Sequence, residues 1–264
     1  MARAKRRLGQ HFLTDRRLLG RIADALGAGA ADTVLEIGPG PGGLTAALAE
    51  RAGRLVAIEK DRALVPGLRE RFPGVAIVEA DALETDWHAL AGSRFLLAGN
   101  IPYNITSPLI DKALEPPVPA RIVFLVQKEV ADRVTARAGE RAYGALSAGV
   151  QSVVRAERLF TIPAGAFHPR PKVDSAVLRF TPLEAPLVPP VDQPRYRRLV
   201  VGLFGFRRKQ LVRGLRELTG WDAPAVSDVL ERAGIPPDVR PEVLAPAAFA
   251  DLLRVLVDAG WPAR

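Results

Sequence analysis

Residues 33–43, Thr33-Val34-Leu35-Glu36-Ile37-Gly38-Pro39-Gly40-Pro41-Gly42-Gly43, limit the possible folds of this chain more than any other stretch. A short β-prone apolar run passes directly into glycines, and a helical apolar pattern follows. This is a strand–loop–helix crossover, the connection that parallel strands require. The alternation continues along the chain. Residues 54–59, 75–79, 95–99 and 122–127 read as buried strands, with helices predicted over 43–52, 62–71, 106–114 and 128–137. Segments 158–162 and 175–180 predict an antiparallel edge. Ahead of the sheet, Thr14 is the predicted cap of a helix with Leu18, Ile22 and Leu26 at i, i+4 and i+8, ending near Gly27 or Gly29. The expected class is α/β, an open and mostly parallel sheet covered on both faces.

Pro182, Pro186, Pro189, Pro190 and Pro194 mark a stiff linker, after which the pattern is helical only. In residues 207–218, Leu211, Leu215 and Leu218 form one stripe. Lys209, Arg213 and Arg216 form another, roughly 200° away at about 100° per residue. Residues 224–233 and 246–259 complete a small all-helical domain. The expected organisation is an α/β domain over 1–185, beginning with a basic arm, and a helical domain over 192–264.

Composition excludes several chemistries. There is no cysteine, which removes disulfides, thiol nucleophiles, iron–sulfur clusters and cysteine-ligated zinc. His11, His88 and His168 lie far apart and show no ligand spacing, so no metal is expected. The longest stretch without a charged side chain, residues 95–110, contains Asn100, Pro102, Asn104 and Pro108 and is no membrane span. No apolar run follows the basic first residues, so a cytoplasmic protein without a secretory signal is expected.

The formal net charge is +8, and it is concentrated. Residues 1–21 hold seven Lys and Arg against one acid, Asp15, and residues 195–216 hold eight against none, so the remainder is acidic. Two basic segments flanking an acidic body predict a polyanion gripped at defined places. Arg207, Arg208, Lys209, Arg213 and Arg216 are the candidates for binding it in the second segment. An Arg-rich solvated surface, 31 Arg to 6 Lys, is the competing explanation.

Gly38, Gly40 and Gly43 satisfy the dinucleotide fingerprint, with Glu59 at the end of the next strand to bond a ribose. That fingerprint works by offering backbone N–H groups to a pyrophosphate. Pro39 and Pro41 remove two of those donors. Glu36, Glu59, Asp61 and Asp81 all fall near the carboxyl ends of strands, where carboxylates repel phosphate and suit a cation. S-adenosyl-L-methionine, with a sulfonium, an amino group and a ribose but no phosphate, is the expected cofactor; a dinucleotide is the alternative. Glu59 is positioned to accept both ribose hydroxyls and Asp81 the adenine amino group. A helix or turn cap is the competing role for Asp81.

The chain contains only two asparagines, Asn100 and Asn104, in one five-residue stretch after the fourth strand. Asn100-Ile101-Pro102-Tyr103 suits attack on an activated methyl group by the exocyclic nitrogen of adenine. That nitrogen is a poor nucleophile because its lone pair is delocalised into the ring. Acceptors at Asn100 and at the Ile101 carbonyl, presented by Pro102, favour a localised lone pair. Tyr103 offers a stacking face worth roughly 1–3 kcal/mol per base. Phe167 is a candidate second wall, with Arg170 and Lys172 on phosphates; a core phenylalanine beside a surface loop is the alternative.

Gly9-Gln10-His11-Phe12-Leu13, Glu36-Ile37-Gly38-Pro39-Gly40, Glu59-Lys60-Asp61, Asn100-Ile101-Pro102-Tyr103-Asn104 and the motif from Phe167 to Ser175 occur in order. Carrying them, the chain resembles the ribosomal RNA adenine dimethyltransferases, in particular the bacterial small-subunit enzymes associated with kasugamycin sensitivity. The resemblance implies a Rossmann-like class I S-adenosylmethionine-dependent methyltransferase domain with a small all-helical C-terminal domain. It implies two methyl groups on each of two adjacent adenosines in the 3′-terminal hairpin loop of 16S rRNA, within the immature small ribosomal subunit. A monomer is expected. On the family pattern His11 and Leu13 cover the cofactor, and Gly38, Gly40, Glu59, Asp81 and Asn100 bind it. Asn100, Pro102, Tyr103 and Phe167 hold the target base. His11 stands where many relatives carry asparagine.

Overall fold

A computed structural model describes residues 10–207 and 209–262. The described residues divide into two compact units, those of 10–131 with 156–182, and those of 132–155 with 183–262.

The first unit opens with β1 (Phe12–Leu13) and α1 (Arg16–Leu26). Asp15, not the expected Thr14, caps α1: its carboxylate accepts from the backbone N–H of Arg17 at 2.8 Å and of Leu18 at 3.2 Å. A carboxylate also complements the positive end of a helix, which a hydroxyl does only weakly. The helix stops at Gly27, whose φ of 64° is left-handed. Then follow β2 (Thr33–Ile37), α2 (Gly43–Ala49), β3 (Arg54–Glu59), α3 (Val65–Arg71), β4 (Ala76–Glu79), α4 (Trp87–Ala91), β5 (Leu96–Asn100), α5 (Thr106–Ala113) and β6 (Arg121–Gln127).

After α6 (Lys128–Thr135) and α7 (Ala145–Gln151), the sheet is completed by β7 (Val154–Ile162) and β9 (Ser175–Pro182). The two-residue β8 (Phe167–His168) lies between them in sequence and pairs with β1. The seven-stranded order is β4-β3-β2-β5-β6-β9-β7. Strands β2 to β6 pair in parallel, and β9 runs antiparallel to β6. Leu35, Val56, Leu97 and Val123 are buried at the sheet centre because helices cover both faces. From β2 the chain builds outward to β3 and β4, then returns to start β5 on β2's other side. That reversal opens a crevice at the carboxyl ends of β2 and β5, where such sheets take their ligands. The unit is Rossmann-like.

The second unit is helical: α7, α8 (Gln193–Gly205), α9 (Leu211–Thr219), α10 (Ala223–Arg232) and α11 (Pro246–Asp258). Its core joins Tyr143, Tyr196, Leu203, Leu215, Leu230 and Phe249. The buried Tyr143 hydroxyl donates to Leu244 O at 2.8 Å and that of Tyr196 to Pro246 O at 3.0 Å. The unit therefore takes in residues 132–155, which the sequence pattern assigned ahead of the proline linker. Helix α9 begins at Leu211, later than expected, so Arg207 and Lys209 precede it. Leu211 and Leu215 are buried while Arg213 and Arg216 are exposed, as the two stripes predict. Among the described residues no helix is long and apolar enough to cross a membrane.

Candidate active site

At the carboxyl ends of β2, β3 and β5 lies one pocket. Its lining includes Gly38, Gly40, Glu59, Asp81, Asn100 and Tyr103, with His11, Leu13 and Pro102 also present. Nine of the ten residues predicted for cofactor and base thus converge. Phe167 does not line it. Its ring is buried at 5% exposure in the core that also holds Leu13, its strand partner, which is the alternative place for that residue.

The glycine loop explains its own sequence. Gly38, Gly40 and Gly42 have φ of 66°, 58° and 84°, so every second residue is left-handed, and the two prolines occupy the positions between. The loop's amides are already engaged. Gly38 N donates to Ile58 O, Gly40 N to Glu59 Oε2 and Gly42 N to Pro39 O, each at 2.9 Å. With the prolines contributing none, residues 38–42 have no N–H left for a pyrophosphate, and the loop suits a cofactor without one.

Acceptors dominate instead. Glu59 is 4% exposed, and its Oε1 accepts from Asp61 N at 2.7 Å. Each carboxylate oxygen has a second lone pair, so both remain able to accept a ribose hydroxyl. Burial raises the Glu59 pKa, and the backbone donors of Asp61 and Gly40 oppose the shift. Asp81 is more committed than expected: Oδ2 is ion-paired with Lys60 Nζ, and Oδ1 accepts from Leu83 N at 3.0 Å, the turn cap named as its competing role. The Lys60 ammonium holds its pKa below the usual carboxylate range.

Glu36, read in the sequence only as part of the acidic surroundings, lines the pocket at 1% exposure. Its Oε2 has no hydrogen-bond partner among the described residues. Burial pushes its pKa up to about 8; the Thr45 hydroxyl opposes this and the nearby Glu59 adds to it. An orphaned acid beside Glu59 fits a cationic ligand. In the free protein the raised pKa costs stability at high pH. Glu36 is neutral in the folded chain well above its ordinary value of 4.5, so folding loses stability as pH rises from there through about 8. The melting temperature of Glu36→Gln should therefore gain on that of the parent between about pH 5 and pH 9. A difference that stays constant with pH contradicts this.

A strap crosses the pocket. Phe12 pairs with His168 and Leu13 with Phe167, and His11 Nδ1 lies 2.7 Å from Pro169 O. A Cβ on Gly40 would come within 2.9 Å of the Phe12 ring, so the strap packs directly on the glycine loop. Asn100 ends β5 and donates from Nδ2 to His11 O at 2.9 Å. That bond uses the amide's donor end and leaves Oδ1 as an acceptor at the pocket. The Tyr103 ring stacks on that of His11, with centroids 5.3 Å apart and planes at 28°, and its hydroxyl meets Ser175 Oγ at 2.6 Å. Burial raises the Tyr103 pKa against the pull of Ser175.

Within the first unit, Arg170 and Lys172 are not among this pocket's lining residues. Arg170 and Lys172 are exposed in the loop after β8. Lys209 Nζ lies 3.1 Å from Glu217, and Arg207 donates to Arg141 O at 3.2 Å. Arg208 and residues 1–9 of the basic arm lie outside the described residues. Among those described, no group of three or more His, Cys, Asp or Glu side chains could hold a metal ion.

The model of the ribosomal RNA adenine dimethylase family matches residues 1–252. The chain belongs to that family. Among ribosomal RNA adenine dimethylases, it is 44% identical over 267 residues to the ribosomal RNA small subunit methyltransferase A of Geobacter metallireducens, covering 98% of this chain and 97% of that one. The protein of the same name from Myxococcus xanthus is 42% identical, over 96% of this chain and 91% of its own. Solved structures agree. A dimethyladenosine transferase from Plasmodium falciparum has a TM-score of 0.85 at 26% identity, covering 95% of this chain and 99% of that one. The 23S rRNA methyltransferase ErmE has a TM-score of 0.73 at 29% identity, covering 93% and 99%. The chain is an S-adenosylmethionine-dependent methyltransferase with a Rossmann-like fold, and its phosphate-averse pocket fits that cofactor.

Proposed function

We propose that this rRNA adenine N6-dimethyltransferase methylates two adjacent adenosines in the 3′-terminal hairpin loop of 16S rRNA, four methyl groups in all. It acts in the cytoplasm, as a monomer, on the immature small subunit. The names carried by its full-length relatives support the choice of subunit. The single observation that carries the chemistry is the Asn100 amide, tied through Nδ2 to His11 O so that a neutral oxygen is left to accept.

Glu59, Glu36, Gly38, Gly40, Asp81 and the strap residues His11 and Leu13 hold the cofactor, Glu36 lying within reach of a positive charge. Bound there, S-adenosylmethionine supplies a methyl group made electrophilic by its sulfonium. Asn100 Oδ1 accepts one amino hydrogen of the adenine, and the Ile101 carbonyl, set by Pro102, accepts the other. Held this way, the nitrogen's lone pair is drawn out of the ring and localised for attack. Asn100 cannot take the proton, but methylation leaves the nitrogen cationic and acidic enough for water to remove it. Tyr103 carries the base on its face, and orientation of the reacting atoms can supply up to about 7–11 kcal/mol. Phe167 serves through the strap, by anchoring Leu13.

Extruding a base from a loop costs less than from a duplex, which favours a hairpin-loop target. Exposed Arg170, Lys172, Arg213 and Arg216, with Arg207, Arg208 and Lys209, carry the phosphate contacts. Labelled cofactor supplied with immature small subunits and, separately, with large subunits tests the reading. Label at two adjacent adenosines of the small-subunit RNA is expected; label confined to the large subunit, or none, refutes it.

A further inference from the structure

Tyr103 begins a single 3-10 turn, residues 103–105, just beyond Pro102. A short turn leaves an aromatic ring free to tilt unless something outside it holds the far end. Here the far end is held. The phenol oxygen lies 2.6 Å from Ser175 Oγ, a side chain with no exposed surface and 72 residues away in sequence. Ser175 is the first residue of β9 and pairs with Gln127 of β6. Its neighbour Asp174 is fixed as well: the backbone carbonyl accepts from Lys128 N and Oδ1 accepts from Ala164 N, both at 2.9 Å. The serine hydroxyl is therefore mounted on the sheet, whereas the tyrosine is mounted on a turn. Between two such partners the sheet sets the position and the turn follows.

We propose that Ser175 is the positioning residue for Tyr103, fixing the tilt of its ring and thereby the plane in which the target adenine lies. The inference rests on the reading of Tyr103 as the base platform. Stacking tolerates many orientations because it is largely indifferent to in-plane rotation and small tilts. Methyl transfer does not, since the amine must meet both its acceptor and its electrophile in one geometry. A hydroxyl contact to a buried serine converts a permissive platform into a directed one, with His11 limiting the ring from its face. The same bond ties the Phe167–Ser175 loop to the Asn100–Tyr103 stretch, two motifs otherwise far apart in the chain.

The consequence falls on turnover more than on affinity, because phosphate contacts dominate RNA binding and none passes through this pair. Four variants are to be compared: Ser175→Ala, Tyr103→Phe, the double variant and Tyr103→Ala. Ser175→Ala and Tyr103→Phe should each lower kcat about tenfold, the scale of one neutral hydrogen bond, with the Kd for RNA and for cofactor nearly unchanged. The double variant should be no slower than either single one, because both remove the same bond. A merely structural serine would keep its full penalty on the Tyr103→Phe background, and that outcome overturns the proposal. So does a Ser175→Ala enzyme with the parent's kcat. If Ser175→Ala does not fold, Tyr103→Phe removes the bond without touching β9, and an unchanged kcat there is equally fatal. Tyr103→Ala separates the two levels. Parental turnover in it removes the platform reading itself, whereas a crippled Tyr103→Ala beside an unaffected Ser175→Ala removes only the role of Ser175.

Discussion

Asn100→Ala is expected to abolish methyl transfer, lowering kcat by at least about 10²–10³-fold, the range seen when one preorganised hydrogen-bonding group is removed from a reacting centre. The effect should be confined to chemistry. Asn100 Nδ2 bonds the strap at His11 O, but the strap is also held by its pairing with β8 and by His11 on Pro169. Cofactor affinity should therefore weaken by no more than about tenfold, one hydrogen bond's worth. Single-turnover transfer to small-subunit RNA gives the rate, and calorimetry gives the affinity. Undiminished transfer in this variant removes the amide from the mechanism.

The complementary case is Glu59→Ala, whose effect should fall on binding. Two hydrogen bonds from ribose hydroxyls to an ionised acceptor, at about 1.5 kcal/mol or more each, correspond to a rise of about 10²-fold or greater in cofactor Kd. The substitution also strips Gly40 N and Asp61 N of their partner, so the glycine loop loses its brace as the ribose loses its anchor. At saturating cofactor, kcat should recover most of its parental value, because no reacting atom touches this carboxylate. An unchanged Kd refutes the ribose assignment.

These two residues show how far the sequence could be read. Strand-and-helix alternation fixes the parallel sheet, and the reversal at β2 brings Glu59 and Asn100 to one crevice, so both were legible from position alone. What escaped was carried by contacts rather than by periodicity. The strands β1 and β8 are two residues each, too short to display an alternating pattern, so the strap's pairing and its bond to Asn100 were invisible. Phe167 looked like a free wall because nothing local signals that its ring enters the core beside Leu13. Residues 132–155 join the helical unit through Tyr143 and Ala148, whose partners lie 101 and 48 residues further on. The Lys60 partner of Asp81 sits 21 residues away on the neighbouring strand's end, a match that only the register of β3 and β4 creates. Glu36 was visible as an acid after an apolar run; its orphaned oxygen was not.

In the proposed mechanism a neutral amide oxygen holds the amine that is methylated. A crystal structure of the enzyme with adenosine and an unreactive analogue of the cofactor tests it most directly. Adenine N6 is expected within hydrogen-bonding distance, roughly 3 Å, of Asn100 Oδ1, with the ring on Tyr103. An adenine bound with N6 turned away from Asn100, beyond the reach of its oxygen, contradicts it.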